Sequence, residues 1–246
     1  MNTRKVFSYC KKHPFAPAGF FIFPILALVI SMEFYLPSNQ PEGYKSFIVA
    51  LEFAKTPTEI QNLFSGLSQN TIQNIDKANY IDFGFMLAYC LFLGLMFQKA
   101  SSVFKRRWLL WGVFLSFVIF LADFSENLVL LNITKIYRLE TGTDSLLPVL
   151  KNLRLFTWLK WGGLALTFVL FFFGMKKNTG LSKFIGAALL LPFPLAFWAF
   201  THNPAAETGF VFSVFGAFAA LFVFAFWETG GAISFKGTPF RGESRI

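Results

Sequence analysis

The chain has 246 residues, 55% of them hydrophobic and 20% aromatic, with only 14% charged and 36 phenylalanines. A soluble domain carries nearer a quarter charged residues, and so much phenylalanine cannot face water, which excludes an ordinary soluble protein and leaves an all-α integral membrane protein. The net charge of +9 lies in short Lys/Arg runs beside apolar segments, as topology signals do, and not along one face as in a nucleic-acid footprint.

In chain order, Arg4, Lys5, Lys11 and Lys12 precede an apolar run from Phe20 to Ile30 and imitate a signal peptide. We read the run as a first transmembrane helix over residues 18–36, kinked at Pro24, with Glu33 an interfacial carboxylate near its far end. Cys10 lies before this helix and Cys90 midway along the next, and neither has metal-ligand spacing, so two free thiols are expected.

Residues 37–80 form the only long polar connection. Tyr44, Phe47, Ile48 and Leu51 have helical amphipathic spacing, and Ile60, Leu63, Phe64 and Leu67 repeat it. Thr56-Pro57-Thr58-Glu59 between them is a helix start, with Thr56 as N-cap, Pro57 in the first turn and Glu59 closing a capping box. Gly66 marks an end or bend. The spacing predicts two or three short amphipathic helices lying on the outer face, as interfacial packing or as a lid over a pocket.

The second span covers 81–98, opening with Asp82 and carrying Tyr89 two turns deeper. Gly84 and Ala88 offer it a close-packing face, and Lys99, Lys105, Arg106 and Arg107 end it. The third, over 108–133, contains Asp123, Glu126 and Asn127 at i, i+3 and i+4, on one helical face. A turn at Thr141–Asp144 follows. The fourth covers 155–175, with Lys160 between Trp158 and Trp161. The fifth covers 184–200, bent by Pro192 and Pro194, and ends in Thr201-His202-Asn203-Pro204. The sixth covers 209–227, with Ser213, Gly216, Ala217 and Ala220 as a packing face. A Gly-rich basic tail occupies 228–246.

The whole of 1–246 thus reads as one polytopic domain, a six-transmembrane-helix bundle. Fourteen Lys and Arg fall on the side of the termini and seven in the longer opposite loops. The positive-inside rule makes the bundle N-in/C-in in an inner membrane. No repeat of transporter type is visible.

On that topology the intramembrane polar groups lie in the outer third, and the inner halves are nearly all Phe, Leu, Val and Ala. Ionisable groups at membrane depth are costly and mark function by default. The expected site is an outward-facing acidic pocket with Asp82, Tyr89, Asp123, Glu126, Asn127 and Lys160 as ligand-binding residues, taking a small cation or lipid headgroup. One alternative is an intramembrane acid/base enzyme, an aspartyl-type hydrolase or a lipid-headgroup enzyme, with Asp82 and Asp123 as the catalytic dyad. The other is an assembly subunit in which a Lys160–Glu126 or Lys160–Asp123 ion pair only orders helices. Metal hydrolysis finds too few histidines, His202 alone being near the membrane. Ser125 lacks a base on its face. No cofactor or metal is expected, and the lipid bilayer, not nucleic acid, is the expected partner.

Overall fold

The computed structural model describes residues 9–10, 12–38, 41–139, 145–175 and 180–228. The Thr141–Asp144 turn and the tail beyond residue 228 fall outside them. All regular structure among the described residues is helical: α1 (Ala16–Gly19), α2 (Ile22–Glu33), α3 (Phe47–Glu52), α4 (Pro57–Phe64), α5 (Gln69–Val103), α6 (Leu110–Arg138), α7 (Leu146–Gly174), α8 (Gly180–Leu190), α9 (Pro192–Ala199) and α10 (Pro204–Trp227), with a 3-10 turn at Arg107–Leu109. Among the described residues six helical segments are long and apolar enough to cross a bilayer: Ala16–Glu33, Gln69–Val103, Arg107–Arg138, Leu146–Gly174, Gly180–Ala199 and Pro204–Trp227. Their outward surfaces carry exposed Phe23, Trp111, Phe114, Phe184 and Phe197, the composition of a surface solvated by lipid.

Three helices run well beyond the apolar segments seen in the sequence. The second spanning helix begins at Gln69, not near residue 81, because Ser68 caps it by accepting from the Thr71 N–H at 3.1 Å. What the sequence suggests as a third amphipathic helix is therefore the first part of α5. Likewise α7 begins at Leu146 and α10 at Pro204, where Asn203 accepts from the Ala205 N–H. Polar residues extended these helices without breaking them, since Asn, Gln, Lys and Asp leave a helix intact outside the apolar zone. The fifth span is broken into α8 and α9 at Pro192, which has no N–H to donate to the ladder.

Between α2 and α5, the chain folds α3 and α4 into a cap on one end of the bundle. Tyr44 lies outside α3, which starts at Phe47. Thr56 caps α4 by accepting from the Glu59 N–H at 3.2 Å, but the Glu59 carboxylate reaches the Lys55 N–H at 2.6 Å, one residue before the capping-box position. Gly66, at φ 77°, turns the chain into α5.

Among the described residues the buried apolar side chains form two cores. The large one joins Phe92, Met96, Phe97, Leu164, Phe168, Phe171, Phe210 and Phe224 along the bundle. The smaller one joins cap residues Phe47, Leu51, Ile60 and Phe64 to Ile72 and Ile75 of α5, Leu130 and Ile133 of α6, and Leu150 and Leu153 of α7. Asp76 adds a polar tie there, accepting from Thr134 Oγ1 at 2.5 Å and pairing with Arg138 at 2.9 Å.

Close approach in the large core depends on glycine. A Cβ on Gly112 would lie 2.1 Å from Cδ1 of Phe97, which is itself fully buried against Phe171. Gly112→Ala is therefore expected to cost about 1–3 kcal/mol, the usual range for overpacking. Gly216→Ala, where no atom lies within 4 Å of the new methyl, should be neutral or slightly stabilising. Thermal unfolding of the two variants in one detergent makes the comparison.

Candidate functional site

The polar side chains meet below the cap because helical spacing puts them on inward faces. Asn79, Asp82 and Tyr89 share a face of α5. Asp123 and Asn127 share one of α6, with Glu126 beside them. Thr157, Lys160, Trp161 and Leu164 do the same on α7. Glu52 arrives from above, as the last residue of α3.

Lys160 is the centre of this arrangement. Its ammonium lies 3.0 Å from Glu52 Oε1 and 3.3 Å from Asp123 Oδ1, and it also pairs with Glu126. Each carboxylate is held by a further donor. Trp161 Nε1 donates to Glu52 Oε2 at 2.9 Å, Tyr89 OH donates to Asp123 Oδ2 at 2.5 Å, and Thr157 donates to Glu126. Thr157 also approaches the Glu52 backbone carbonyl at 3.1 Å. Nearby, Asn127 Nδ2 donates to Asp82 Oδ2 at 2.6 Å and ties α6 to α5. Burial pushes the Glu52 carboxyl above the ordinary carboxylate range, against the pull of Lys160.

Four carboxyls, Glu52, Asp82, Asp123 and Glu126, thus oppose one ammonium. Glu52, Asp123 and Glu126 are buried, and repulsion between like charges is strong where the dielectric is low.

A cavity of about 460 Å³ adjoins the cluster, within the ordinary size range of small-molecule sites. At one end its wall includes Glu52, Asn79, Asp82, Asp123, Asn127 and Lys160, with Tyr89 beside them. Most of the remaining wall is apolar, drawn from Val29 and Met32 of α2, Phe85 of α5, Leu164 of α7, and Val211, Phe212, Phe215 and Phe218 of α10, with Thr208 of α10 among them. Exposed Glu33 and Lys45 stand at its edge below the cap.

The structure therefore brings Asp82, Tyr89, Asp123, Asn127 and Lys160 to one cavity. Glu126 is not in the wall. It is fully buried behind Lys160, bonded to Thr157, and faces the seam between α6 and α7. Asp82 and Asp123 each bond to a different neighbour, Asn127 and Tyr89, and not to one another. Ser125 is half-buried and donates to the Leu121 carbonyl. Among the described residues no group of three His, Cys, Asp or Glu is arranged to hold a metal.

Several members of the site had little sequence signal. Glu52 follows five apolar residues in a six-residue helix and reads as a solvated end; only its place beside the buried face of α3 hints otherwise. Asn79 sits in a polar stretch that becomes inward-facing only once α5 extends back to Gln69. Trp161 reads as an interface aromatic next to Lys160, and its indole N–H is instead what orients Glu52.

A second polar knot fastens the cap to α10. Glu207, fully buried, accepts from Tyr44 OH and pairs with Lys55 at 3.0 Å. Burial and Glu207 hold the Tyr44 phenol well above its ordinary value. His202, in the left-handed region at φ 64°, lies 3.7 Å from Glu207 and accepts at Nε2 from Arg154 Nη2 at 2.9 Å. An arginine can only donate, so the ring is neutral there. Burial, with Lys55 and Arg154 close by, lowers the His202 pKa below the ordinary histidine value of 6.5. A group whose folded pKa is depressed in this way resists protonation in the folded state. Stability should therefore fall as pH drops from above 6.5 towards the folded value. His202→Gln is expected to flatten that part of the profile, which unfolding temperatures measured between pH 5 and 8 would register.

No family model, curated protein or solved structure compared with this chain matches it, so the function must be read from the geometry.

Proposed function

We propose that this is a multi-pass inner-membrane protein whose pocket faces outward and binds a small cationic group, such as the ammonium of a lipid headgroup. The orientation rests on the positive-inside rule: the long cap loops hold few Lys and Arg for their length, whereas Lys99, Lys105, Arg106 and Arg107 crowd the opposite end. That puts both termini in the cytoplasm and the cap outside. The inner halves of the helices hold too few polar groups to carry a charge across, which favours a dead-end pocket over a transport path.

The observation that carries the binding reading is the charge imbalance around the cavity. Among the described residues that line it, Glu52, Asp82 and Asp123 have Lys160 as their one buried cation, Lys45 standing exposed at the edge. A guest cation would relieve that imbalance and receive charge-assisted hydrogen bonds, which are about twice as strong as neutral ones. In this reading Asp82 and Asp123 are the anionic ligands, Asn127 and Tyr89 hold them in place, and Lys160 is the resident counter-charge. Glu126 serves the architecture by locking α7 to α6.

The test uses the purified full chain and a panel of small probes. Ethanolamine should raise the unfolding temperature saturably, since a ligand that binds only the folded state stabilises by about 2.7 kcal/mol at a hundred times its Kd. Propionate, of similar size and opposite charge, should not. Equal effects from both, or none from ethanolamine up to high concentration, would overturn the reading.

A further inference from the structure

The same cavity has an apolar majority that a small cation would leave empty, and its geometry says what fills it. Helix α2 packs chiefly on α5 and barely touches α10. The two sides come together near the far end of the bundle, where Gly19 of α1 sits under the Phe226 ring. Towards the cap they part, and the cavity lies in the gap, with Val29 and Met32 on one side and Phe212 and Phe215 on the other. Phe212 is 57% exposed and Phe215 47% exposed. Side chains that line a cavity and also face outward form its rim, so the cavity opens sideways at the level of the apolar surface as well as beneath the cap.

Two polar groups in the wall add a second requirement. Asn79 is 1% exposed, yet its amide Nδ2 has no partner. The buried Thr208 hydroxyl is likewise unpartnered. A buried donor without an acceptor carries a desolvation cost, and both groups line the cavity, Asn79 lying one turn from Asp82 on α5. They suit an acceptor oxygen next to the cation.

We infer that the ligand is a single-chain amphiphile taken from the bilayer, with an ammonium and a neighbouring hydroxyl or carbonyl oxygen in its head. This rests on the cation-binding reading above and specifies its ligand class. The ammonium lies against Asp82 and Asp123, the oxygen accepts from Asn79, and the chain runs down the α10 wall past Phe215 and Phe218. Entry is lateral, between α2 and α10, so the chain need not leave an apolar environment.

Native mass spectrometry of the full chain, released from one detergent, compares four probes: N-dodecylethanolamine, ethanolamine, dodecanol and dodecanoate. N-dodecylethanolamine is expected to bind at least tenfold more tightly than each of the other three. If ethanolamine binds as tightly, the cation site stands and the amphiphile inference falls. If dodecanol or dodecanoate binds as tightly, the cavity is a non-selective apolar slot and the inference falls as well. If neither amine binds, both readings fall together.

Val29→Trp, which adds bulk at a half-buried position on the rim, tests the route. It should slow the association of N-dodecylethanolamine, followed as a binding rate, at least fivefold; an unchanged association rate would overturn lateral entry. Asn79→Leu should weaken N-dodecylethanolamine several-fold more than it weakens dodecylamine, which lacks the oxygen, and an equal loss for both would remove Asn79 from the site.

Discussion

Lys160→Met is expected to lower stability by about 3–5 kcal/mol, the range found when one partner of a buried ion pair is removed and the other is left uncompensated. Here the penalty has several sources, because Glu52, Asp123 and Glu126 all lose their counter-charge at once. Methionine fills most of the volume, so the loss is electrostatic and not a packing effect. Lys160→Met combined with Glu126→Gln should recover part of it, since Glu126 is fully buried and outside the cavity. Unfolding in a mild detergent titrated with a denaturing one measures both. If Lys160→Met kept wild-type stability, the carboxyls would have to be uncharged or freely hydrated, and the charge-imbalance argument for the pocket would lose its basis.

Asp123→Asn is expected to separate binding from folding. The amide preserves shape and can still accept from Tyr89, but it removes one negative charge from the wall. Loss of a hydrogen bond to a charged group costs about 1.5–3 kcal/mol, so ethanolamine affinity should fall roughly tenfold to hundredfold. Stability should hold or rise slightly, because one like charge leaves a crowded cluster. Glu126→Gln is the converse: it should reduce stability, through the seam with Thr157 and Lys160, while leaving affinity within about threefold by its position outside the wall. The acid/base alternative makes a different demand on Asp123→Asn, a complete loss of turnover on any substrate found. If the two variants behave alike in both assays, the cluster acts only as an organiser of helices.

How much of this could be read beforehand varies with the physical signal. Length and hydropathy place six apolar segments correctly, because a bilayer sets a minimum length that composition records directly. The i, i+3, i+4 placement of Asp123, Glu126 and Asn127 identifies an inward face, and Lys160 stands out as a cation between tryptophans. Spacing cannot say which residues of one face meet a cavity and which meet a neighbouring helix, and Glu126 went to the seam. Glu52 was illegible for another reason. Its partners Trp161 and Lys160 are more than a hundred residues away, and nothing local distinguishes a carboxylate that closes a lid from one that faces water. The real starts of α5 and α7 were hidden because polar residues outside the bilayer look like loop in a hydropathy profile, although they propagate a helix as well as apolar ones do.

The length of α5 has a consequence for where the pocket sits. Its 35 residues span about 52 Å at ~1.5 Å per residue, against a hydrocarbon thickness of about 30 Å. On the orientation proposed here, the surplus stands outside, gripped by the cap core through Ile72 and Ile75, while Asp82 and Tyr89 lie further down the same rod. The helix thus acts as a depth gauge: the acidic end is set at a fixed distance below the cap, whatever the thickness of the surrounding bilayer. Hydrophobic mismatch has to be absorbed by tilt or by lipid deformation, since sliding α5 would tear Ile72 and Ile75 out of the cap. The pocket should therefore keep its level relative to the outer headgroups in thin and thick membranes alike.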